Sequence, residues 1–302
     1  MSYLVVVAVT IAIYAVLTVS LNIVIGYAGQ PHLGHGAFFG IGAYFGAVLT
    51  TTYGWSFWAS VPVAAVAAGA SGLLVGAVSL RLRDDFLAIT TIGLNFVVVA
   101  AFQYIPWFGG PTGIYAIPLP QIGGYSFGNA GFLVLALLLL ALVVGLSLFL
   151  RATWFGLGLF GVKDDDLAAA TVGIPVAPYK VVAFTLAATL AGLAGTIYGP
   201  FLSVVTPSSF GFTESVVMVA MLMFGGLGSI RGAVLGAVIL GALPEVFRFA
   251  SDYRLLIFGL VLVLTLRFRP QGLIGSEVGR QRTSRLLAWR PGVRRTAGGE
   301  GR

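Results

Sequence analysis

The side chains able to do chemistry in this 302-residue chain are few and clustered. His32 and His35 stand three residues apart, close enough on a turn or helix for both imidazoles to reach one ligand. A zinc site would need further nitrogen, sulfur or carboxylate ligands. The first 80 residues contain no Asp or Glu, and the chain has no cysteine at all. That count also excludes disulfides and thiol nucleophiles. No His-Glu-x-x-His run and no Walker-type phosphate loop occurs either. The chain therefore reads as a non-enzyme without a metal or cofactor of its own, and any ATP spent on its behalf is hydrolysed by another chain.

A second cluster is Lys163-Asp164-Asp165-Asp166. Each charge would cost about 3 kcal/mol at mid-bilayer, so this stretch belongs outside the hydrocarbon. Its pattern is that of a short helix. The aspartates sit at the positive end, Leu167, Ala168, Ala169 and Ala170 propagate it, and Gly173 before Ile174-Pro175 stops it. About nine residues make a rod of about 13 Å. Such a helix between two spans is a natural docking element for a soluble partner. The simpler role for the aspartates alone is capping and solubility.

A third set is polar residues within apolar segments: Asn22, Gln30, His32 and His35 at one break, and Thr90, Thr91, Asn95 and Gln103 further on. Each either makes an interhelical hydrogen bond, worth about 0.6–2 kcal/mol, or lines a translocation path.

The elements that must position these groups follow from composition. Hydrophobic residues make up 58% of the chain and charged residues only 9%, with a mean hydropathy of +1.00. Soluble domains carry about a quarter charged residues, so a water-soluble globule is excluded. No Asp, Glu, Lys or Arg precedes Arg81, and none lies between Asp85 and Arg151. Runs of that length are stable only as membrane-spanning helices. Segments of about 20 residues fall near 3–25, 35–52, 57–80, 86–105, 131–150, 181–200, 214–230, 232–249 and 253–267. The expected fold is an all-α integral membrane protein, a polytopic bundle of about eight to ten helices. The first segment lacks a basic leader and is too long for a signal-peptide core, so it reads as a permanent helix.

Orientation follows from the basic loops. Arg81 with Arg83, then Arg151, Lys163 and Lys180, then the tail from Arg267 with nine arginines, all fall on one side, which the positive-inside rule makes cytoplasmic. Nine spans put the N-terminus outside. The domain reading is a transmembrane unit over 1–275 with a loop at 151–180, followed by a basic, disordered cytoplasmic tail over 276–302. Tail arginines can touch anionic lipid head groups; features for nucleic-acid binding are lacking. Gly26 to Gly36 and Gly225 to Gly232 interrupt one apolar segment in each half, as inverted repeats with unwound backbones do. No strong internal sequence repeat accompanies them.

Several stretches together carry a family resemblance. Gly26-Tyr-Ala-Gly-Gln-Pro-His-Leu-Gly-His-Gly-Ala-Phe-Phe-Gly-Ile-Gly-Ala-Tyr44 resembles the N-terminal signature of LivM-type permease subunits of ABC importers for branched-chain amino acids. Lys163-Asp-Asp-Asp-Leu-Ala-Ala-Ala-Thr-Val-Gly-Ile174 is similar to that family's cytoplasmic coupling motif. Tyr179-Lys180, Ala191-Gly-Leu-Ala-Gly195, Gly225-Gly-Leu-Gly-Ser229 with Gly232, and Arg269-Pro-Gln-Gly-Leu273 follow in family order. The departures are Pro31-His32, where a small or aliphatic residue and a serine are usual, Asn95-Phe96 in place of Gly-Glu, and Lys163-Asp164 in place of Arg-Glu.

The resemblance implies a type II ABC importer-like permease in a bacterial inner membrane. It would pair with a LivH-type permease, two ABC ATPase subunits and an extracytoplasmic solute-binding protein. It assigns Lys163, Asp164, Asp165, Asp166, Leu167, Ala168, Ala169 and Gly173 to coupling with the ATPase; Asn22, Gln30, His35, Thr90 and Asn95, from the polar set above, are the candidates for lining the path. Relatives of this type that carry urea, short amides or other amino acids are the alternative cargo reading. A stand-alone secondary transporter is the alternative class: it would need no docking helix and would more often keep an ionisable group at mid-depth.

Overall fold

Uninterrupted apolar sequence in lipid leaves the backbone no hydrogen-bond partner but itself, and the chain folds accordingly. The computed structural model describes residues 2–82, 84–246, 259–260, 263, 267–269 and 271–275. The helices are α1 (Ser2–Asn22), α2 (His35–Thr51), α3 (Phe57–Ser79), α4 (Asp84–Tyr104), α5 (Asn129–Ala152), α6 (Trp154–Asp164), α7 (Asp166–Thr171), α8 (Val176–Leu202), α9 (Phe212–Gly225) and α10 (Ile230–Val246). Among the described residues six helical stretches are long and apolar enough to cross a membrane: Tyr3–Tyr27, Phe57–Ser79, Asp85–Tyr104, Asn129–Ala152, Val176–Leu202 and Pro207–Gly225. The protein is a multi-pass helical membrane protein. α2 and α10, at 17 residues each, are a little shorter, about 26 Å at 1.5 Å per residue. The segment expected over 253–267 and the tail over 276–302 lie mostly or wholly outside the described residues.

α2 is the centre of the bundle, and nearly all of it is buried. It packs against α8, which also covers α3; α1 packs against α5 and α10. The α2–α8 approach is backbone on backbone: a methyl group on Gly42 would land on the carbonyl oxygen of Gly192. Contact of this kind replaces the hydrophobic drive that lipid cannot supply. By contrast α3, α4 and α5 turn apolar side chains outward, among them Val66, Leu74, Phe86, Phe96, Val97, Leu138 and Phe149. Facing acyl chains or another subunit, these cost nothing to expose.

α9 departs from the expected span over 214–230. The chain leaves α8 at Ser203, pairs Val204–Val205 (β4) antiparallel with Ile114–Tyr115 (β1), and re-enters through a 3-10 turn over Pro207–Phe210. Phe210 is fully buried among Phe39 and Tyr44 of α2 and Phe102 of α4, so this irregular entry is sheltered by protein. α9 itself has only 14 residues and ends at Gly225.

The two ends of the bundle differ. At one end lie the 105–128 connection, with a hairpin of β2 (Gln121–Ile122) and β3 (Tyr125–Ser126), and the exposed aromatics Tyr53, Trp55, Trp58, Tyr104, Trp107 and Tyr115. Trp58 donates its indole N–H to Gln121 O at 2.9 Å and Trp107 to Tyr53 Oη at 3.2 Å. Amphipathic rings with a hydrogen-bonding tip gather where hydrocarbon meets water. The start of α1 and the end of α10 meet at this same end, where the Tyr3 hydroxyl donates to the Glu245 carboxylate. Arg81, Asp85, Arg151, Lys163 to Asp166 and Lys180 all lie at or near helix ends at the other end.

Candidate functional site

At the charged end, the two glycine breaks and the 151–180 loop form one junction. α1 does not stop at Asn22; it widens into a π-helical turn over Ile23–Tyr27. There Ala28 N–H reaches Ile23 O at 3.2 Å and Gln30 N–H reaches Val24 O at 3.0 Å. Such a turn leaves carbonyls without their usual intrahelical donors. One is Gly26 O, which accepts from Lys163 Nζ at 2.7 Å. On its other side Tyr27 Oη meets Ser147 Oγ of α5 at 2.7 Å.

The second break lies directly against the first. Gly228 N–H donates to Asn22 Oδ1 at 2.8 Å, and Gly26 has no room for a side chain between that carboxamide and Gly228. Gly226 holds φ at +123°, a conformation only glycine adopts readily, and so turns the chain from α9 towards α10. The C-terminal segment finishes the turn: Leu273 N–H bonds Phe224 O at 2.9 Å and Ile274 N–H bonds Gly225 O at 3.0 Å. The last carbonyls of α9 are thereby capped from about 50 residues away in sequence.

The 151–180 loop is built differently from the single docking helix expected over 164–172. Lys163 and Asp164 close α6; Asp165 is extended, and its side chain accepts from Ala168 N–H at 3.0 Å. This is an N-cap, and a capping aspartate stops the preceding helix as it starts the next. α7 therefore runs only six residues, Asp166–Thr171. Gly173 ends it at φ +85°, with Ile174 N–H bonded to Ala169 O at 3.0 Å.

Within this loop the side chains divide. Leu167 is 78% and Val172 74% exposed, whereas Ala169 is buried at 4% and packs inward. Lys180 Nζ holds Asp166 Oδ2 at 2.9 Å, tying α7 to α8, and this bond keeps the Asp166 carboxyl below the usual aspartate range. Partial burial lowers the affinity of Lys163 for its proton, an effect the neighbouring Asp164 charge opposes. α6 rests on α8 through Phe155, whose ring stacks on Tyr179 with centroids 4.6 Å apart.

Of the residues expected on a path, four are buried inside this chain. Asn22 bridges the breaks; Gln30 is 4% exposed; His35 Nε2 lies 2.9 Å from Ser20 Oγ; Asn95 Nδ2 donates to Phe210 O at 3.1 Å. Thr90 is exposed on α4 and donates to Phe86 O of its own helix. Next to it Thr91 Oγ1 accepts from Leu33 N–H at 3.0 Å, fixing the first break against α4. Gln103 is half-buried. His32 is enclosed by Phe38, Phe184 and His35. Among the described residues no three His, Cys, Asp or Glu side chains gather as metal ligands would.

Two features lay beyond the sequence reading. Tyr14 Oη donates to Glu214 Oε2 at 2.6 Å, joining α1 to α9. An acid in an apolar stretch was the available signal, since such groups seek partners. Ser215 Oγ accepts from Gly36 N–H at 2.9 Å, satisfying a free amide at the start of α2, and no sequence pattern announces it.

Comparison with known proteins assigns this arrangement. Residues 3–266 match the family model described as "branched-chain amino acid transport system / permease component". The chain belongs to this family. The permease is 36% identical to the high-affinity branched-chain amino acid transport system permease protein LivM of Escherichia coli, over 87% of this chain and 68% of that protein. It is 27% identical to the BraD permease of the corresponding Pseudomonas aeruginosa system, over 87% of this chain and 91% of that one. It is 24% identical to the E. coli LivH permease, again over 87% and 91%. No solved structure matches it. The permease is thus a transport subunit of an ABC importer, of the kind in which LivM and LivH relatives form a pair.

Proposed function

We propose that this permease forms, with a second, LivH-type permease, the path of an ATP-driven importer for branched-chain or other hydrophobic amino acids. α7 carries the reading. It is a capped helix presenting Leu167 to solvent, standing between two spans at the charged end of a chain of this family. One of two separate ABC ATPases engages Asp164 to Gly173 from the cytoplasm, where the positive-inside rule puts the basic loops, and the second engages the partner permease. ATP is bound and hydrolysed by those subunits. An extracytoplasmic solute-binding protein delivers cargo to the aromatic end, and the membrane is the bacterial plasma membrane.

The path lies between the two permeases, so its lining comes from exposed faces. The α4 face with Phe86, Ile89, Thr90, Gly93 and Phe96 is apolar apart from the Thr90 hydroxyl, which suits an aliphatic side chain. Asn22, Gln30, His35 and Asn95 act from behind by holding the helices that frame it. Alternating access then moves this face relative to its counterpart while the ATPases close and reopen.

The test is leucine uptake by proteoliposomes holding both permeases, both ATPases and the binding protein, with and without ATP on the ATPase side. ATP-dependent uptake competed by isoleucine and valine, and not by urea, is the expected result. Hydrolysis without leucine movement would transfer the importer to another cargo, and leucine movement without ATPases would refute the coupling reading.

A further inference from the structure

We infer that Lys163 is the positioning residue that ties the docking loop to the two intramembrane breaks, so that motion of α6 and α7 is delivered to Gly26. Its ammonium crosses to the π-turn and donates to Gly26 O at 2.7 Å. A lysine at the C-terminal end of a helix satisfies an orphan carbonyl and meets the negative pole of the helix dipole. The backbone is shaped round the lysine stem as well. Gly29 sits at φ +70°, and a Cβ there would lie 2.8 Å from Lys163 Cγ.

From Gly26 the contact continues without a gap. Asn22 fills the space beside Gly26 and accepts from Gly228 N–H at 2.8 Å; Gly226 in turn packs on the C-terminal segment that caps α9. One lysine therefore stands where the loop outside the membrane meets the unwound parts of α1 and the α9–α10 turn. Moving α6 away would leave the carbonyl of buried Gly26 without its donor, so the loop and the break shift as a unit. The partial desolvation that lowers the proton affinity of Lys163 agrees with a head group held against protein.

This inference rests on the docking reading of the loop, and the experiment separates the two. In the complete importer, Lys163→Met should keep both ATPases bound and hydrolysing ATP, while amino acid uptake per ATP falls by about tenfold or more, the scale of one lost hydrogen bond to a charge. Lys163→Arg, which can still donate to Gly26 O, should recover most of the lost coupling. Lys163→Gln, polar but short and uncharged, should behave like Lys163→Met, and it serves if the Met variant does not accumulate in the membrane. Unchanged uptake per ATP in both neutral variants overturns the inference. So does loss of ATPase binding in them, which would make Lys163 a docking contact instead. Failure of the docking reading would show elsewhere, as wild-type ATPase binding that Leu167→Glu leaves intact.

Discussion

Asn22 and Gly228, 206 positions apart, are joined by a 2.8 Å hydrogen bond in which the backbone N–H of Gly228 donates to the Asn22 carboxamide oxygen. The bond places the end of the first span against the turn between α9 and α10. Replacing Asn22 with Leu leaves that N–H buried and unpaired, at a cost of about 1–3 kcal/mol. Thermal unfolding of the purified permease should register a clear drop in Tm; an unchanged Tm would mean that the junction relaxes freely.

The α2–α8 contact gives a paired prediction. Gly42→Val should destabilise the bundle by about 1–3 kcal/mol, because the new side chain meets backbone. Gly46→Ala should be within about 0.5 kcal/mol of wild type, since its added carbon would lie 3.5 Å from Thr196 Cγ2, an ordinary contact. Equal unfolding temperatures for the two variants would remove the argument for backbone-to-backbone packing.

If α7 docks an ATPase as proposed, Leu167→Glu should leave folding unaffected, since Leu167 is 78% exposed, yet weaken capture of the ATPase subunits. Ala169→Glu forces a charge into a site only 4% exposed and should displace α7 itself. Co-purification of the ATPases, read beside the Tm of each variant, distinguishes a lost contact from a misplaced helix. Normal co-purification of Leu167→Glu would count against α7 as the docking surface.

The Asp166–Lys180 pair predicts a pH dependence with a definite sign. The folded-state carboxyl of Asp166 titrates below its unfolded value, so its contribution is complete above the ordinary aspartate range and vanishes as acid protonates the folded form. Lys180→Met keeps the stem and removes the charge. With Asp166 49% exposed, the cost near neutral pH should be no more than about 1 kcal/mol. Once the pH has fallen through the lowered folded-state value of Asp166, the variant and the wild type should unfold together. A gap that persists in acid would assign the effect of Lys180 to another contact.

Thr90 provides the test of the path. Thr90→Val, nearly isosteric, should change uptake by no more than about threefold, the loss of one weak hydrogen bond. Thr90→Arg should abolish uptake while binding-protein-stimulated ATP hydrolysis continues. Transport at the wild-type rate through Thr90→Arg would place this face of α4 against lipid.

Much of the architecture was legible because lipid leaves few choices. Charge-free runs such as 1–80 cannot be loops in hydrocarbon, and α1, α3, α4, α5 and α8 fall close to the segments read from hydropathy. The short helix of the 151–180 loop was legible in kind, from its aspartates, alanines and Gly173. Its start was not, because four consecutive charged residues do not say which aspartate turns its carboxylate on to a backbone N–H. That depended on Asp165 adopting an extended backbone after α6.

The re-entry through Phe210 was not legible either. Hydropathy ranks a buried 3-10 turn as membrane-compatible without saying that it lacks the α-helical hydrogen-bond pattern. Its shelter comes from rings on α2 and α4 more than 100 residues away.

By itself the sequence determined that this chain lies in a membrane, where α1, α3, α4, α5 and α8 run, which charged residues stay out of the hydrocarbon and which family it resembles, since transfer free energy and local helix signals act on neighbouring residues. Only the tertiary structure decided that the two glycine breaks touch, that Asn22, Gln30, His35 and Asn95 point into the chain, and that Lys163 bonds Gly26. Those pairings join residues distant in sequence through single hydrogen bonds and backbone contacts. Their partners are chosen by the packing of whole helices, which no local pattern of residues encodes.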